Sequence, residues 1–180
     1  ICLLEYGQGL FSYLQQHGGL KLAGSNGAVV VNCNPFTLGH RYLIETAATQ
    51  VDHLYIFLVR EDRSLFPFDV RMALVQQGTA DLDNVSVLDT SDYAVSQVTF
   101  PGYFLKQDDD RLQLQMEMDL LLFARHIAPF FGITRRFIGT EPYCRTTRSY
   151  SDTMPRILGP EGIQTIQLER KTSADAPISA

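Results

Sequence analysis

Four polar side chains that suit phosphate binding fall within one short segment, AVVVNCNPFTLGH: Asn32, Asn34, Thr37 and His40. The β-branched run ending at Val31 predicts a buried strand, Asn34-Pro35 and Gly39 mark a sharp turn, and a helical pattern begins at His40. A strand, a tight loop and a helix start direct free backbone N–H groups and the positive end of a helix dipole at one point. The segment therefore predicts an anion-binding site suited to a nucleotide phosphate.

His40 is the foremost candidate for chemistry because it stands at the predicted helix start. An imidazole there can donate to a phosphate, and its charge strengthens as negative charge develops. The alternative is a histidine that caps the helix or packs at its end. Asn34-Pro35 and Thr37 nearby favour the phosphate interpretation. The sequence has no glycine-rich Walker or dinucleotide motif, so the phosphate site depends on this shorter loop.

Three charged residues near other predicted strand ends each have two interpretations. Arg71, in the first turn of the helix that follows FPF, either reaches an anionic substrate or forms a salt bridge with Asp69 or Asp62. Arg60, directly after the second strand, is a ligand at the rim or a surface charge. Glu141 contacts a ribose or a metal, or it caps the helix that follows.

Two other groups of residues suggest chemistry that we do not predict. The adjacent acids of Asp108–Asp110 point in different directions and suit a solvated helix start, so no metal site is predicted. Cys2, Cys33 and Cys144 are scattered, without the paired spacing of a zinc site or a redox disulfide. No histidine lies beside Cys144 in sequence, and a packed or idle thiol is expected there.

Strands alternating with helices must position these loops. After the strand that ends at Val31, the predicted strands are Leu54–Val59, Val85–Leu88, Arg136–Gly139 and Gly162–Leu168. The predicted helices start near His40, at Asp69 as N-cap, at Asp110 with an end at about Ala128, where Pro129 and Gly132 stop it, and within Thr147–Leu158. This alternation predicts an α/β fold with a five-stranded parallel sheet covered on both faces. Such a sheet binds ligands beyond the carboxyl ends of its strands.

Two segments lie outside this alternation. Residues 1–24 predict a helix and a linker, which we expect to be the end of a missing N-terminal region; residues 25–180 form the main domain. Residues 89–107 carry scattered aromatic and polar residues and are interpreted as an excursion that could serve as a lid. The chain begins with Ile1 rather than Met, which indicates a fragment.

Composition narrows the class of protein. The chain has 180 residues, 45% of them hydrophobic, which allows one ordinary domain with a sizeable core. A net charge of -5 gives no electrostatic reason to expect nucleic acid as a partner. Apolar runs are far shorter than the roughly 20 residues of a spanning helix, and no leader-like segment opens the chain. We expect a cytoplasmic protein with no membrane role.

Several motifs resemble known families. NPFTLGH matches the [HT]xGH signature of the nucleotidyltransferase superfamily, which implies a Rossmann-like (HUP/nucleotidyltransferase-type) three-layer sandwich. From Gly27 to Ala180 the chain resembles the citrate lyase ligase family, through VVNCNPFTLGHRYLIE, VDHLYIFLVRED, SLFPFDVR, TFPGYFLK, IGTEPYC and the closing RK and PISA.

The second resemblance implies an AMP-forming ligase that uses ATP, with Mg²⁺ expected beside it. Acetate would be activated as acetyl adenylate and transferred to the thiol of the prosthetic group on the citrate lyase acyl carrier subunit, the protein partner. A phosphoryl centre needs alignment and charge stabilisation more than a covalent residue, which fits the loop. The alternatives are a nucleotidyltransferase acting on a small phosphorylated substrate and a non-catalytic nucleotide-binding module.

The resemblance also implies roles for individual residues. Thr37 and His40 match the signature positions that hold phosphates, and Arg71 matches a substrate-side arginine of the wider superfamily. From its position after the second strand, Arg60 is expected on the substrate side too. Ile178-Ser179 matches the start of the ISxxxxR motif, whose arginine would lie beyond Ala180. The residues expected to contact ATP are Asn32, Asn34, Thr37, Gly39, His40, Gly139, Glu141, Ile178 and Ser179.

Overall fold

The fold was analysed in a computed structural model. The structure describes residues 4–60, 65–96, 99–101, 110–141 and 143–170, together with the backbone of 172–173 and 176–177. The predicted contacts of Ile178 and Ser179 lie outside these residues.

A five-stranded parallel sheet forms the centre of the molecule, as predicted. Its strands are β1 (Asn26–Val31), β2 (His53–Leu58), β3 (Val85–Asp89), β4 (Ile133–Gly139) and β5 (Gln164–Leu168). The spatial order is β3-β2-β1-β4-β5, so the chain reverses direction across the sheet between β1 and β4. In open parallel sheets, ligands bind outside the carboxyl ends of the strands at this point.

Helices pack on both faces of the sheet. They are α1 (Gly9–Gln16), α2 (Leu38–Ala48), α3 (Phe68–Gly78), α4 (Asp110–Leu122) and α5 (Arg145–Leu158). Short antiparallel strands β6 (Thr172–Ser173) and β7 (Ala176–Pro177) follow β5.

Two predicted helix ends were wrong. Pro67, not Asp69, is the N-cap of α3, and Asp69 lies in the first turn, where its charge suits the helix dipole. The helix that begins with α4 runs about one turn past the predicted end near Ala128, to Gly132, which was predicted as a stop together with Pro129. It continues through a π-helical turn (Phe123–Ile127) and a last α-helical turn (Ala128–Phe131), and it ends at Gly132 with φ of 64°. Pro129 is tolerated because it lies at the start of that last turn.

Each face of the sheet has its own apolar core, which gives the three-layer sandwich. On one face α2 and α3 pack on alternate strand residues, around Ile44, Ile56, Leu58, Val75 and Phe137. On the other face α4, its continuation and α5 pack around Phe57, Phe100, Phe123, Phe131 and Met154. Because both faces are covered, β2 is buried at every position.

The segment interpreted as a lid belongs to the second core. Ala94, Val95 and Phe100 are buried there, so the lid interpretation is wrong for described residues 89–96 and 99–101. Residues 102–107 lie outside the described chain. Buried Tyr13 of α1 donates from its hydroxyl to the Asp89 carbonyl at 2.7 Å, which attaches the N-terminal helix to the sheet unit.

The described part of the chain has no helix that is both long enough and apolar enough to cross a membrane.

Candidate functional site

A pocket of about 230 Å³ opens at the carboxyl ends of β1 and β4, where the strand order reverses. Five residues predicted to contact ATP line it: Asn32, Gly39, His40, Gly139 and Glu141. Thr147 and Arg170 add polar groups from α5 and from the end of β5. The first turn of α2 borders the pocket through Gly39, and the N–H groups of a first turn have no partners within the helix. The lining therefore combines hydrogen-bond donors with the charges of Arg170, Glu141 and Glu169.

Thr37 and His40 form a reciprocal cap at the start of α2. The Thr37 backbone N–H donates to His40 Nδ1 at 3.2 Å, and the His40 backbone N–H donates to Thr37 Oγ1 at 3.4 Å. Because Nδ1 accepts a hydrogen bond, the neutral imidazole carries its proton on Nε2. The two interpretations of His40 are thus compatible, since the cap uses Nδ1 and a ligand would use Nε2.

Before an anion binds, the His40 ring is neutral and donates through its Nε2–H. Burial, and to a smaller extent the charge of Arg170, lower the pKa of His40 to about 4. Near pH 7 a phosphate would therefore meet an Nε2–H group and not an imidazolium. A bound anion favours the charged ring, so negative charge in the pocket would raise the pKa of His40.

Asn34 and Arg71 hold the loops around the pocket together. The Asn34 side-chain oxygen accepts from the Phe66 N–H at 3.0 Å. Arg71 is fully buried, and its Nη1 donates to the carbonyl oxygens of Asn32 at 2.7 Å and Val59 at 3.0 Å. Its Nε donates to the Phe66 carbonyl at 3.1 Å. Arg71 thereby ties the ends of β1 and β2 to the start of α3, and its role as a substrate ligand stays a prediction.

Arg60 lies at the rim, away from the described lining of the pocket. Its Nη2 is 2.5 Å from Asp89 Oδ2, and its guanidinium lies 4.5 Å from the centroid of the Phe68 ring. Its side chain is half exposed. This is the arrangement expected of a surface charge, and a contact with substrate stays a prediction.

Glu141 connects the pocket to α5. Its Oε1 accepts from the N–H groups of Tyr143 at 2.8 Å and Cys144 at 3.0 Å, which satisfies donors at the start of α5. Its Oε2 pairs with Arg170 Nη2 at 2.7 Å, and both side chains are mostly buried. Arg170 Nε also donates to the Thr140 carbonyl at 2.6 Å. Glu141 therefore holds the turn that leads into α5, and the same carboxylate fixes a guanidinium at the pocket wall.

Arg170 was not among the predicted site residues. It follows β5 by two positions, so the argument that selected Arg60 after β2 would have selected it too. Its position after a strand end, rather than its residue type alone, is the feature that would have identified it as a site residue.

A larger groove of about 570 Å³ lies between residues 4–10 and α4. Its walls are mostly apolar, with Leu4, Leu10, Met118, Leu121 and Leu122 among them. It lies away from the carboxyl ends of β1 and β4, and it lacks donors converging from several strand ends. Its size therefore does not make it the candidate site.

The comparisons with known proteins agree with this architecture. Residues 26–180 match the family described as "Citrate lyase ligase C-terminal domain". The chain is 42% identical over 184 residues to the citrate (pro-3S)-lyase ligase of Escherichia coli K12, covering 99% of this chain and 50% of that protein. It is 46% identical over 159 residues to the Haemophilus influenzae protein of the same name, covering 86% and 48% respectively. The chain thus spans about half the length of these curated relatives.

A solved structure has the same arrangement of elements. Pantoate-β-alanine ligase from Francisella tularensis, complexed with β-γ ATP and β-alanine, superposes with a TM-score of 0.60 at 13% identity, covering 92% of this chain and 69% of that chain. At this identity the likeness shows the fold alone. The predicted α/β fold, a three-layer sandwich with a five-stranded parallel sheet, is confirmed.

Proposed function

Since this chain belongs to the citrate lyase ligase family, we propose that the full-length protein is an ATP-dependent, AMP-forming ligase that activates citrate lyase. In the proposed reaction acetate is converted to acetyl adenylate, and the acetyl group is then transferred to a thiol. The observation that carries the proposal is the pocket between β1 and β4, where His40, the α2 N-terminus and Arg170 converge. The names of the relatives support citrate lyase as the target.

The first step is an in-line displacement at phosphorus. A carboxylate oxygen of acetate attacks the α-phosphorus of ATP, the bond between the α-phosphorus and the bridging oxygen breaks, and pyrophosphate leaves with that electron pair. The His40 Nε2–H and the α2 N-terminal amides would donate to the phosphate oxygens. Fixed donors of this kind stabilise developing charge without reorganising during the reaction.

Arg170 would contribute positive charge from the opposite side of the pocket. Its position is fixed by Glu141 and by the Thr140 carbonyl, so the guanidinium does not have to be ordered when ATP binds. Mg²⁺ is expected to enter with ATP. Within the described residues no group of three His, Cys, Asp or Glu side chains could hold a metal, so the triphosphate would supply most of its ligands.

The second step needs a thiol that accepts the acetyl group. The thiolate attacks the carbonyl carbon of acetyl adenylate, the bond between that carbon and the phosphate oxygen breaks, and AMP leaves as the thioester forms. We propose the prosthetic group of the citrate lyase acyl carrier subunit as the source. Cys33 does not suit this role because burial raises the pKa of its thiol to about 12.

The test is acetate-dependent exchange of labelled pyrophosphate into ATP by the full-length protein. We expect exchange with acetate, and transfer of the acetyl group to the carrier thiol when the carrier is added. Exchange with CTP and a phosphorylated alcohol, but not with ATP and acetate, would identify a nucleotidyltransferase instead. Tight ATP binding measured by calorimetry without any pyrophosphate release would identify a nucleotide-binding module. Either outcome would overturn the proposal.

A further inference from the structure

A smaller cavity of about 80 Å³ adjoins the nucleotide pocket on the α4 and α5 side of the sheet. We call it the side chamber. It shares Val30, Asn32, Phe137, Ile138 and Thr147 with the pocket. Its remaining lining is Val59, Val95, Phe100, Arg136 and Tyr150. A molecule in the chamber would therefore lie next to one in the pocket.

Arg136 gives the chamber a buried positive charge. Its side chain is 2% exposed, and its guanidinium lies 4.3 Å from the centroid of the Phe123 ring. Nη1 is buried and has no hydrogen-bond partner among the described residues. A buried guanidinium with an unpaired donor is costly for a fold, because each such group loses its hydration without replacement. Such a donor points to a ligand that accepts its hydrogen bond.

Asp119, the carboxylate that interacts electrostatically with this charge, already accepts three hydrogen bonds. Asp119 is completely buried, and its Oδ1 accepts from the Val95 N–H at 2.7 Å and the Thr99 hydroxyl at 2.6 Å. Its Oδ2 accepts from the Tyr150 hydroxyl at 2.6 Å. These bonds stiffen one wall of the chamber and leave Nη1 of Arg136 to an acceptor from outside.

The apolar lining sets the size of that acceptor. A volume of about 80 Å³ corresponds to two or three water molecules, and acetate has only four non-hydrogen atoms. Val95 has φ of 48°, a rarely occupied conformation for a β-branched residue, and its N–H is held by Asp119. Val95 and Phe100 are therefore fixed against the chamber, where they can limit the length of an acid.

We propose that the side chamber is the acetate subsite of the reaction. Arg136 Nη1 donates to one carboxylate oxygen, the methyl group packs against Val95 and Phe100, and the other oxygen faces the nucleotide pocket across the shared wall. This inference rests on the proposed acetate-activating function. It assigns the recognition of the acid to Arg136 and leaves the phosphates of ATP to His40 and Arg170.

The first test replaces Arg136 in the full-length protein and measures the pyrophosphate exchange. Arg136→Met should raise the KM for acetate about 10- to 100-fold, the loss expected for a hydrogen bond to a charged group, while the KM for ATP stays within about twofold. Arg136→Lys, which keeps the charge but not the planar guanidinium, should fall between. The matched control is Arg135→Met, which removes the neighbouring arginine that donates to the Gln50 carbonyl. It should leave both constants near wild type.

The outcomes separate the inference from the function on which it rests. If wild type shows no acetate-dependent exchange, the proposed function fails. If wild type exchanges and folded Arg136→Met keeps the wild-type KM for acetate, only the acetate subsite is overturned. Thermal unfolding and calorimetric ATP binding identify a variant that has lost its fold.

A second variant tests the chamber without touching its charge. Val95→Ala enlarges the cavity and removes a β-branched side chain from a strained backbone position. It should shift the ratio of kcat/KM for propionate over acetate upward about tenfold, the change typical of one methylene in a fitted apolar pocket. An unchanged ratio in a folded variant would place the acid elsewhere.

Discussion

Two buried arginines lie on opposite faces of the sheet near the end of β1, and they differ in how their donors are used. On the α2 and α3 face, Arg71 donates to carbonyl oxygens of Asn32, Val59 and Phe66. On the α4 and α5 face, Nη1 of Arg136 has no partner among the described residues. Arg71 has the contacts of a clamp that holds loops together, and Arg136 has a donor left for a ligand. Burial alone therefore does not distinguish an arginine that stabilises the fold from one that binds a ligand.

The largest effect is expected when the clamp is removed. Arg71→Met leaves several buried carbonyl groups without a donor, so we expect the free energy of unfolding to fall by about 3–5 kcal/mol in urea denaturation. The control is Arg60→Met, which removes a half-exposed arginine and should cost at most about 1 kcal/mol. If Arg71→Met were as stable as wild type and lost only affinity for the acid, Arg71 would be the substrate ligand predicted from sequence, and the contrast would be wrong.

His40 combines both uses in one ring, since Nδ1 accepts from the Thr37 N–H and the Nε2–H is left for the pocket. His40→Gln keeps a side chain that can accept from the Thr37 N–H in a standard capping box but removes the imidazole Nε2–H. We expect turnover in the exchange assay to fall about 100-fold, with stability within about 0.5 kcal/mol of wild type. His40→Ala should lose turnover and also about 1 kcal/mol of stability. If the glutamine variant were as active as wild type, the role of His40 would be limited to capping α2.

The sequence predicts the local surroundings of His40 well. Strand, turn and helix start are adjacent along the chain, so their pattern was enough to find the Thr37 and His40 loop and the strands around it. Contacts made across the sheet were not predictable in this way. Arg136 lies in β4 beside Phe137 in a sheet covered on both faces, and alternation alone does not tell which side chain meets an apolar wall and which meets a carboxylate.

The lid interpretation failed for the same physical reason. Polar residues between Asp89 and Phe100 read as a loop, but Thr99 and the Val95 backbone are satisfied by Asp119, which comes about twenty residues later on α4. A buried carboxylate on a different element converts a polar segment into part of the core. Only the folded chain brings these groups together.

Asp119 lies on the same face as Arg136, but its carboxylate oxygens accept hydrogen bonds from within the protein. Replacing it should cost less stability than replacing Arg71. Asp119→Asn replaces an acceptor oxygen by an NH₂ group, so one of the donors from Val95, Thr99 or Tyr150 loses its partner, at a cost of about 1–3 kcal/mol. Glu117→Gln, on the same helix but only partly buried and paired with the exposed Arg156, should cost less than about 1 kcal/mol. Chemical denaturation compares the two. Equal stability of both variants would show that the Asp119 hydrogen bonds do not stiffen the chamber.

A further expected effect is a pH dependence of stability that reports the buried, neutral ring of His40. Because the pKa of His40 is about 4 in the folded protein and near the ordinary 6.5 when unfolded, the unfolded chain binds more protons between these values. The stability contributed by the neutral ring is complete above about pH 6.5 and is lost as the pH falls toward about 4. Urea denaturation across this range should show a shallower slope for His40→Gln than for wild type.

ATP should reduce the slope of the wild-type protein, because a phosphate beside Nε2 favours the charged ring and raises the pKa of His40 toward its ordinary value. The His40→Gln variant should show no such response to ATP, since it has no group that titrates at this position. A wild-type slope that ATP leaves unchanged would mean that the phosphates bind away from Nε2. In that case both nitrogens of His40 would belong to the structure, and the ligand donors of the pocket would have to come from the α2 backbone and Arg170.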